Sequence, residues 1–262
     1  MKNDKILPFE RRNRILNLIE QQHFVSSATL CELLNASEST IRRDLEDMES
    51  NGLIDRVHGG AVRSKHLLQE PIYQTSLDSN FEEKVAIANA VVQLIEPHDV
   101  IFLNHGTTNE IIAQSIAQNS SLHNVTVITS NMNAAQVLKT SDVQLIVLGG
   151  VFRKQSHSFI GQLTIDGLKN FHANKSFLGV DGIHIRYGCS FSAESDAIVS
   201  KQMIAQTHGK TFIVADHTKW GVVAPYFCSN LKAINTFVTG KELDTEIAKF
   251  YKEHGVSLIR TP

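Results

Sequence analysis

The sequence contains few cysteines and no long hydrophobic segment. Its three cysteines, Cys31, Cys189 and Cys228, lie far apart and form no CxxC pair, which argues against a disulfide framework and a cysteine zinc site. No stretch approaches the roughly 18 uninterrupted apolar residues of a membrane span. The first residues also lack the apolar core of a signal peptide. We therefore expect a reduced, soluble and cytoplasmic protein.

Motifs of metal and hydrolase chemistry are absent as well. The 12 histidines show no HxH or HExxH spacing, so the sequence does not indicate a metal site. A Ser-His-Asp hydrolase is unsupported because no G-x-S-x-G string occurs. We therefore expect no metal, no cofactor and no catalytic residue of these classes.

An excess of charge of one sign is also missing. The 25 lysines and arginines are balanced by 27 aspartates and glutamates, and the net charge is −2. Within residues 1–65 the basic and acidic side chains cancel completely. Composition alone therefore does not indicate a nucleic-acid partner, and any attraction to DNA must come from the placement of a few arginines. The hydrophobic fraction, 42%, is ample for a buried core.

The composition along the chain predicts two domains. Residues 1–62 have the pattern of short helices followed by a hairpin. Residues 63–80 are polar, lack periodicity and contain Pro71, so we interpret them as a linker. From residue 81 to residue 262, short runs rich in Val and Ile alternate with helical stretches. This pattern is typical of βαβ units and predicts a larger α/β domain with a mostly parallel sheet.

The third predicted helix, residues 38–50, has one regularly spaced apolar face. Ile41, Leu45 and Met48 recur at i, i+4 and i+7 and form a buried stripe. A shorter helix over residues 28–34 precedes it across a tight turn. Two helices joined in this way predict a helix-turn-helix whose second helix enters the major groove of DNA.

The other faces of this helix carry residue types that read DNA. Arginine bonds guanine through two hydrogen bonds, and hydroxyl groups reach phosphates or base edges. A serine just before the helix is a natural N-cap. The candidate DNA contacts here are Ser37, Ser39, Thr40, Arg42 and Arg43.

A hairpin signal follows the third helix. Residues 53–57 and 61–62 flank His58-Gly59-Gly60, and such a turn between apolar runs is typical of a β-hairpin. This hairpin would be a wing along the phosphate backbone, with Arg56 and His58 as further candidate contacts. The alternative is an ordinary three-helix fragment whose adjacent arginines are simply solvated.

Two strings resemble the signature of the DeoR family of bacterial transcriptional regulators. They are Ser37-Glu-Ser-Thr-Ile-Arg-Arg-Asp-Leu45 and Gly52-Leu-Ile-Asp-Arg-Val-His-Gly-Gly-Ala61. The Thr-Ile-Arg-Arg-Asp-Leu string, followed at this distance by Arg-x-His-Gly-Gly-Ala, is highly specific. The resemblance implies a winged helix-turn-helix that binds DNA.

Polar and glycine residues follow the predicted strands of the second domain. The strands are expected at residues 100–103, 125–128, 143–148, 176–180 and 211–215. In an open parallel sheet, ligands bind beyond the carboxyl ends of the strands. The candidate effector-binding residues are therefore His105, Gly106, Thr107, Thr108, Ser130, Asn131, Gly149, Gly150, Asp181, Asp216 and Lys219.

The Gly106-Thr107-Thr108 turn points to a phosphate group. Glycine lets the backbone approach an anion closely, and the hydroxyls and free N–H groups of a helix start bind phosphate. Asp181 and Asp216 can bond sugar hydroxyls, and Lys219 can neutralise a phosphate. Gly-Thr-Thr before a helix is equally typical of a simple cap, and Asp216 to Lys219 of a surface turn. The shared position at strand ends favours a phosphorylated small ligand.

The resemblance to the DeoR family continues in the second domain. Gly106-Thr-Thr108, Leu148-Gly-Gly150 and Ala215-Asp-His-Thr-Lys-Trp-Gly221 are similar to strings of the family's sensor domain. The resemblance implies a fold similar to ribose-5-phosphate isomerase and a phosphorylated sugar or sugar derivative as effector. The family more often has aspartate where Asn104 or His105 stands.

These observations predict a repressor of a carbohydrate-utilisation operon. A phosphorylated sugar would release it from double-stranded operator DNA, and we expect a homodimer or homotetramer. One alternative is a sugar-phosphate isomerase-like enzyme with an appended helical domain, in which Asp181, Glu194 or Asp216 is the general base and Lys219 the electrophile. Another is a DNA-binding protein whose second domain serves only for assembly.

Overall fold

The computed structural model describes residues 6–22, 24–50, 53–57, 59–63 and 73–262. The chain divides into two compact units, Met1–Glu70 and Pro71–Pro262.

The described part of the first unit is a small helical domain with a three-stranded sheet. Its elements are α1 (Pro8–Gln22), β1 (Phe24–Ser26), α2 (Ser27–Leu34), α3 (Glu38–Ser50), β2 (Ile54–Val57) and β3 (Gly60–Arg63). Strand β3 lies between β1 and β2 and is antiparallel to both. Ile15, Leu30 and Leu45 bring α1, α2 and α3 into one buried core. The prediction of a winged helix-turn-helix is confirmed.

Local hydrogen bonds fix the turn between α2 and α3. Asn35 adopts a left-handed conformation with φ of 47°, and its N–H bonds the carbonyls of Cys31 and Glu32 at the end of α2. Ser37 Oγ then accepts a hydrogen bond from Thr40 N at 3.3 Å, which is the predicted N-cap of α3. The helix-turn-helix is therefore encoded by two capping residues and the buried stripe of α3.

The second unit follows the expected alternation of helices and strands. Its elements are α4 (Tyr73–Asp78), α5 (Phe81–Val92), β4 (Val100–Leu103), α6 (Thr107–Ala117), β5 (Thr126–Thr129), α7 (Met132–Leu138), β6 (Gln144–Val147), β7 (Val151–Arg153), β8 (Ser158–Ile160), α8 (Gln162–Leu168), β9 (Ala173–Leu178), β10 (Gly182–His184), β11 (Gly188–Phe191), α9 (Glu194–Ala205), β12 (Thr207–Val214), β13 (Tyr226–Ser229), β14 (Thr236–Thr239), α10 (Thr245–Glu253) and β15 (Leu258–Arg260). Short 3-10 helices form at His217–Lys219 and Leu231–Ala233.

Seven strands form the main sheet of this unit, in the order β15-β14-β12-β9-β4-β5-β6. All of its strand pairs are parallel. Ile101, Phe102 and Leu103 of the central strand β4 are fully buried, as expected for a parallel sheet covered on both faces. The predicted α/β fold with a mostly parallel sheet is confirmed.

The strand order creates a crevice beside β4. From β4 the chain builds β5 and β6 on one side of this strand, and it then places β9 on the other side. The loops that follow β4 and β9 therefore diverge at the carboxyl edge of the sheet. Such a change of direction is where ligands bind in open α/β sheets.

Two antiparallel additions accompany the main sheet. Strands β7 and β8 form a hairpin, which a bridge between Asn131 and Ser158 joins to the loop after β5. Strands β10, β11 and β13 form a second antiparallel sheet. Both additions arise from residues that follow strands of the main sheet, so they bring further side chains to its carboxyl edge.

Part of the predicted linker is folded, which corrects our interpretation of residues 63–80. Arg63 ends strand β3, and Tyr73–Asp78 form helix α4. The reason is that α4 has tertiary partners: Thr107 Oγ1 donates to the carbonyl of Ser76 at 3.3 Å. Across the described part of the chain, no helix has the length and apolar character needed to cross a membrane.

Candidate DNA-binding and effector-binding sites

The start of α3 presents a cluster of hydroxyl groups. Ser37 Oγ lies 3.0 Å from Ser39 Oγ and 2.7 Å from Thr40 Oγ1. Ser37 and Ser39 are exposed and Thr40 is half-buried. The cluster lies where the first N–H groups of the helix have no partner within the helix. This end of α3 can therefore donate several hydrogen bonds to a phosphate.

The three candidate arginines of the first unit differ in their partners. Arg42 Nε lies 3.8 Å from Glu46, and Arg56 Nη1 lies 3.3 Å from Glu46 and 4.0 Å from Glu49. Arg43 is exposed and makes no ion pair with any residue that the structure describes. Arg56 therefore ties β2 to α3, whereas Arg43 has its guanidinium available for a ligand.

A buried ion pair holds α3 against α1. Asp44 accepts hydrogen bonds from Arg11 Nε and, at 3.1 Å, from Arg12 Nε. Arg12 also bonds Asp47 at 2.7 Å. Asp44 is adjacent to Arg43, so this contact fixes the orientation of the exposed face of α3. The remaining candidate contact of the wing, His58, lies outside the described residues.

Asn104 joins the loops that border the crevice beside β4. Its Nδ2 donates to the carbonyl of Gly179 at 3.0 Å and to Ser200 Oγ at 2.9 Å, and its Oδ1 accepts from Gly179 N at 2.8 Å. Asn109 Nδ2 donates to Oδ1 of Asn104 at 2.6 Å. The side chain is fully buried and joins the loops after β4 and β9. It therefore shapes the crevice and has no free polar atom for a ligand.

Gly106 is the N-cap of α6, and Thr107 and Thr108 are its first residues, so the helix begins within the predicted turn and not after it. Gly106 has φ of 108°, a conformation that other residues rarely adopt. The N-cap of α6 is a glycine, which offers no side-chain acceptor, so the first N–H groups of this helix can bind an anion. Thr107 and Thr108 are largely buried, and Thr107 Oγ1 already donates to Ser76.

Charged groups of opposite sign meet at the end of β12. Asp216 caps the 3-10 helix that follows and accepts hydrogen bonds from Thr218 N and Oγ1. Burial opposes its ionisation, but Lys219, the bonds from Thr218 and the nearby Lys84 together lower the pKa of Asp216. Burial in turn lowers the pKa of Lys84, against the attraction of Asp216.

The neighbouring carboxylate of Glu83 is fully engaged by protein donors. It accepts hydrogen bonds from His217 N at 2.8 Å and from Gly240 N at 3.2 Å, and it lies 2.7 Å from His217 Nδ1. Glu83, Asp216 and His217 offer ligand atoms within 4.8 Å of one another. The two lysines beside Asp216 and the donors on Glu83 make this cluster an internal ion-pair network and a poor metal site.

A second group of charges lies beside the loop after β4. Asp196, buried in the first turn of α9, is 3.6 Å from His105 Nε2 and 3.4 Å from Arg153 Nη1. Ser156 Oγ lies 3.4 Å from the other oxygen of Asp196. His105 therefore faces a buried acid and a cation from the β7–β8 hairpin. Asp181, by contrast, accepts from Ser192 N at 2.7 Å and orders the approach to α9.

Three further predicted residues, Asn131, Ser130 and Gly149, have structural partners. Asn131 caps α7 through Oδ1, and its Nδ2 donates to the carbonyl of Gly106 at 3.3 Å. The carbonyl of Ser130 accepts from Phe159 N at 2.8 Å. Gly149 and Gly150 follow the edge strand β6, where Thr164 Oγ1 donates to the Gly149 carbonyl at 2.9 Å.

The position of the Gly149-Gly150 turn differs from our expectation. Strands β4 and β5 separate β6 from β9, and adjacent strands are about 4.8 Å apart. The turn therefore lies roughly 14 Å across the sheet from the end of β9. The ends of β5 and β12 are separated by the same three spacings, so a small ligand beside β4 bridges the ends of neighbouring strands and not all five.

The candidate list from the sequence omitted Lys84. This lysine is buried in α5, on the same face as Ile87 and Val91. The helical spacing could have identified it, because Lys84 precedes Ile87 and Val91 by three and seven positions and so lies on the same apolar face. A lysine on an apolar helix face requires acceptors, and these lie at the carboxyl edge of the sheet.

Comparison with known families assigns both units. Residues 11–66 match the DeoR-like helix-turn-helix domain, and residues 79–241 match the DeoR C-terminal sensor domain. The second match alone covers more than half of the chain.

Individual proteins are similar over nearly the whole length. The HTH-type transcriptional regulator GolR of Listeria innocua is 30% identical over 253 residues, which cover 96% of this chain and 98% of that protein. The glycerol-3-phosphate regulon repressor of Escherichia coli is 28% identical over 250 residues, 95% of this chain and 97% of that protein. Among solved structures, ribose 5-phosphate isomerase A of Methanocaldococcus jannaschii aligns with a TM-score of 0.41 at 16% identity, covering 54% of this chain and 55% of that one.

Proposed function

This chain belongs to the DeoR family of transcriptional regulators, and from that premise we propose that it represses a carbohydrate-utilisation operon until a phosphorylated sugar binds its second unit. It is a DNA-binding regulator, as the resemblance in its sequence implied. The first unit, Met1–Glu70, binds DNA, and the second, Pro71–Pro262, serves the effector and assembly. It acts in the cytoplasm as a homodimer or homotetramer, because two-fold operators are read by symmetric proteins. Its chemistry is binding and not turnover.

The exposed face of α3 supports the DNA-binding role. Arg43 stands at its centre with no ion pair among the described residues, and Arg42 has only a distant one with Glu46. The hydroxyl cluster at the start of α3 supplies donors for backbone phosphates. Arg43 is the main base contact, Arg42 assists it, and Arg56 holds the wing in register with α3.

The effector proposal rests on one observation above all: a buried lysine, a half-buried lysine and an uncapped helix start share the crevice edge. Lys84 and Lys219 both act on Asp216, and α6 begins nearby at Thr107. Such a set binds a phosphate group. Asp216 and His105, with Asp196 behind it, are then placed to bond the hydroxyls of a sugar.

Selection from random-sequence DNA, followed by gel shift, tests the DNA-binding face. We expect Arg43→Ala to weaken the selected operator about 5- to 150-fold, since one bidentate arginine contributes about 1–3 kcal/mol. Arg14→Ala is the matched control, because Arg14 is an exposed arginine of α1 paired with Glu10. Equal affinities of these two variants would refute the role of Arg43. The balanced charge also predicts a shallow dependence of affinity on salt.

A thermal-shift screen tests the effector crevice. Glycerol 3-phosphate, ribose 5-phosphate, fructose 1-phosphate and fructose 6-phosphate form the panel. A ligand at 100 times its Kd stabilises by about 2.7 kcal/mol, which raises the melting temperature of a unit this size by about 5 °C or more. We expect Thr107→Ala and Lys219→Ala to lose this shift and the release from operator, while operator binding is kept. Lys232→Ala, in the exposed 3-10 helix Leu231–Ala233, is the control. A full response in both crevice variants would refute the site.

A further inference from the structure

Residues 73–80, which we call the strap, are attached at their first residue to three parts of the second unit. The Tyr73 hydroxyl donates to the carboxylate of Glu110 and accepts from Asn133 Nδ2 at 2.5 Å. The Tyr73 ring stacks on the ring of His157, with centroids 4.2 Å apart and an angle of 6° between the planes. Tyr73 therefore anchors the strap to α6, α7 and the turn of the β7–β8 hairpin.

Backbone carbonyls in the middle of the strap occupy the donors of the effector crevice. The Ser76 carbonyl accepts from Lys84 Nζ and, at 3.3 Å, from Thr107 Oγ1. The Ser79 carbonyl accepts a second hydrogen bond from Lys84 Nζ at 2.7 Å. Two of the donors that we assign to the phosphate are thus already bonded to oxygen atoms of the strap.

The strap also covers these groups. Lys84 and Asp216 are each 3% exposed, and Thr107 is 7% exposed. Asn80 Nδ2, at the end of the strap, donates to Asp216 at 3.3 Å. A ligand from solvent therefore reaches the Lys84 ammonium only after the strap has moved.

Phosphate and carbonyl oxygens compete for the same donors, and phosphate has the advantage. The bonds from the Lys84 ammonium to the carbonyls are already charge-assisted, so phosphate gains through its own negative charge and not through the hydrogen bond alone. In the strap, the Lys84 ammonium donates to two neutral carbonyls, while the carboxylates that act on it, those of Asp216, Glu83 and Asp78, make no hydrogen bond to it among the described residues. A phosphate in their place would add the attraction of two opposite charges in a partly dry site.

We propose that the strap is a built-in competitor of the effector: its Ser76 and Ser79 carbonyls hold the phosphate subsite until a phosphorylated ligand displaces them. This inference rests on the effector site proposed above. In sequence, the strap lies directly after the connection from β3 to the second unit. Its displacement would add eight residues to that connection.

Tyr73→Phe isolates the competition. It removes the hydroxyl bonds that anchor the strap but keeps the ring that stacks on His157. A ligand that binds only the form with the strap displaced has an apparent affinity equal to its intrinsic affinity multiplied by the fraction of that form. Loss of about one net hydrogen bond therefore tightens binding about fivefold. Tyr226→Phe is the matched control, because Tyr226 is an exposed tyrosine on β13.

Amide hydrogen exchange on the full-length protein measures both binding at the start of α6 and displacement of the strap. The probes are inorganic phosphate and the four phosphosugars of the panel. We expect a probe to slow exchange at residues 106–109 and to accelerate it several-fold at residues 76–80. The Tyr73→Phe protein should bind the same probe about fivefold more tightly than wild type, and Tyr226→Phe should bind as wild type does.

Two results would overturn the proposal in distinguishable ways. If a probe protects residues 106–109 while exchange of the strap is unchanged or slowed, or if Tyr73→Phe binds as Tyr226→Phe does, the strap is no competitor and the effector site stands. If no probe protects residues 106–109 in either wild type or Tyr73→Phe, the effector site itself is wrong, and the role of the strap falls with it.

Discussion

Replacing Asp44 by alanine should destabilise the DNA-binding unit, although Asp44 is not itself a candidate DNA contact. The Asp44 side chain is 3% exposed, and it neutralises Arg11, which is 11% exposed. Removing one partner of a buried ion pair costs about 3–5 kcal/mol, because the other charge stays buried without compensation. A unit of about 70 residues has a total stability of about 4–10 kcal/mol. At about 4 °C per kcal/mol or more, its melting temperature should fall by about 12 °C or more.

Asp47→Ala is the matched control for this prediction. It removes the same charge from the same helix, but the Asp47 side chain is 56% exposed and bonds the partly exposed Arg12. Such surface pairs contribute about 0–1 kcal/mol. Hydrogen exchange of α1 and α3 in the full-length protein, with a thermal melt followed by circular dichroism, measures both variants. If Asp44→Ala and Asp47→Ala exchange at the same rates, the buried pair does not hold α3 on α1, and the reasoning fails.

Two further perturbations test other parts of the structure. The hydrogen bond to Glu83 raises the pKa of His217 above its ordinary value of 6.5. The charged pair therefore stabilises the fold below pH 6.5, and this contribution is lost as the pH rises through the raised pKa. The second unit should melt at a lower temperature at pH 8 than at pH 6, and an equal change of melting temperature with pH in His217→Gln would contradict this. Gly60→Ala should destabilise the wing more than Gly59→Ala. A Cβ on Gly60 would overlap the Val25 carbonyl, whereas Gly59→Ala meets no atom within 4 Å and costs only the backbone strain of a φ of 79°. Hydrogen exchange of β1 compares the two.

The first unit was predictable because its signals are local. The stripe of Ile41, Leu45 and Met48, the Ser37 cap and the hairpin of β2 and β3 each depend on one or two elements, and each has the predicted structure. Arg56 illustrates what such signals miss. Its pairing with Glu46 depends on how β2 packs against α3. The two residues are ten positions apart in different elements, so no helix or strand periodicity predicts their contact.

The second unit was predictable in its elements but not in their order. Strand ends at residues 103, 129 and 147 lie within a residue of the predicted ones, since runs of Val, Ile and Leu mark buried strands clearly. The order of strands depends on which helix faces pack on the sheet, and no short window of sequence contains that information. Gly149 and Gly150 were therefore grouped with residues that lie three strands away.

The strap escaped prediction for a different physical reason. Its contacts with Lys84 and Thr107 are made by the main-chain carbonyls of Ser76 and Ser79, and every residue of any sequence has such a carbonyl. The residue that could have predicted these contacts is their donor, Lys84. A lysine on the apolar face of α5 cannot be buried without acceptors, because an isolated buried charge costs far more than the packing of its stem returns. A polar, aperiodic segment next to such a lysine is therefore better interpreted as a source of carbonyl acceptors than as a linker, and here the segment that supplies them lies only a few residues upstream.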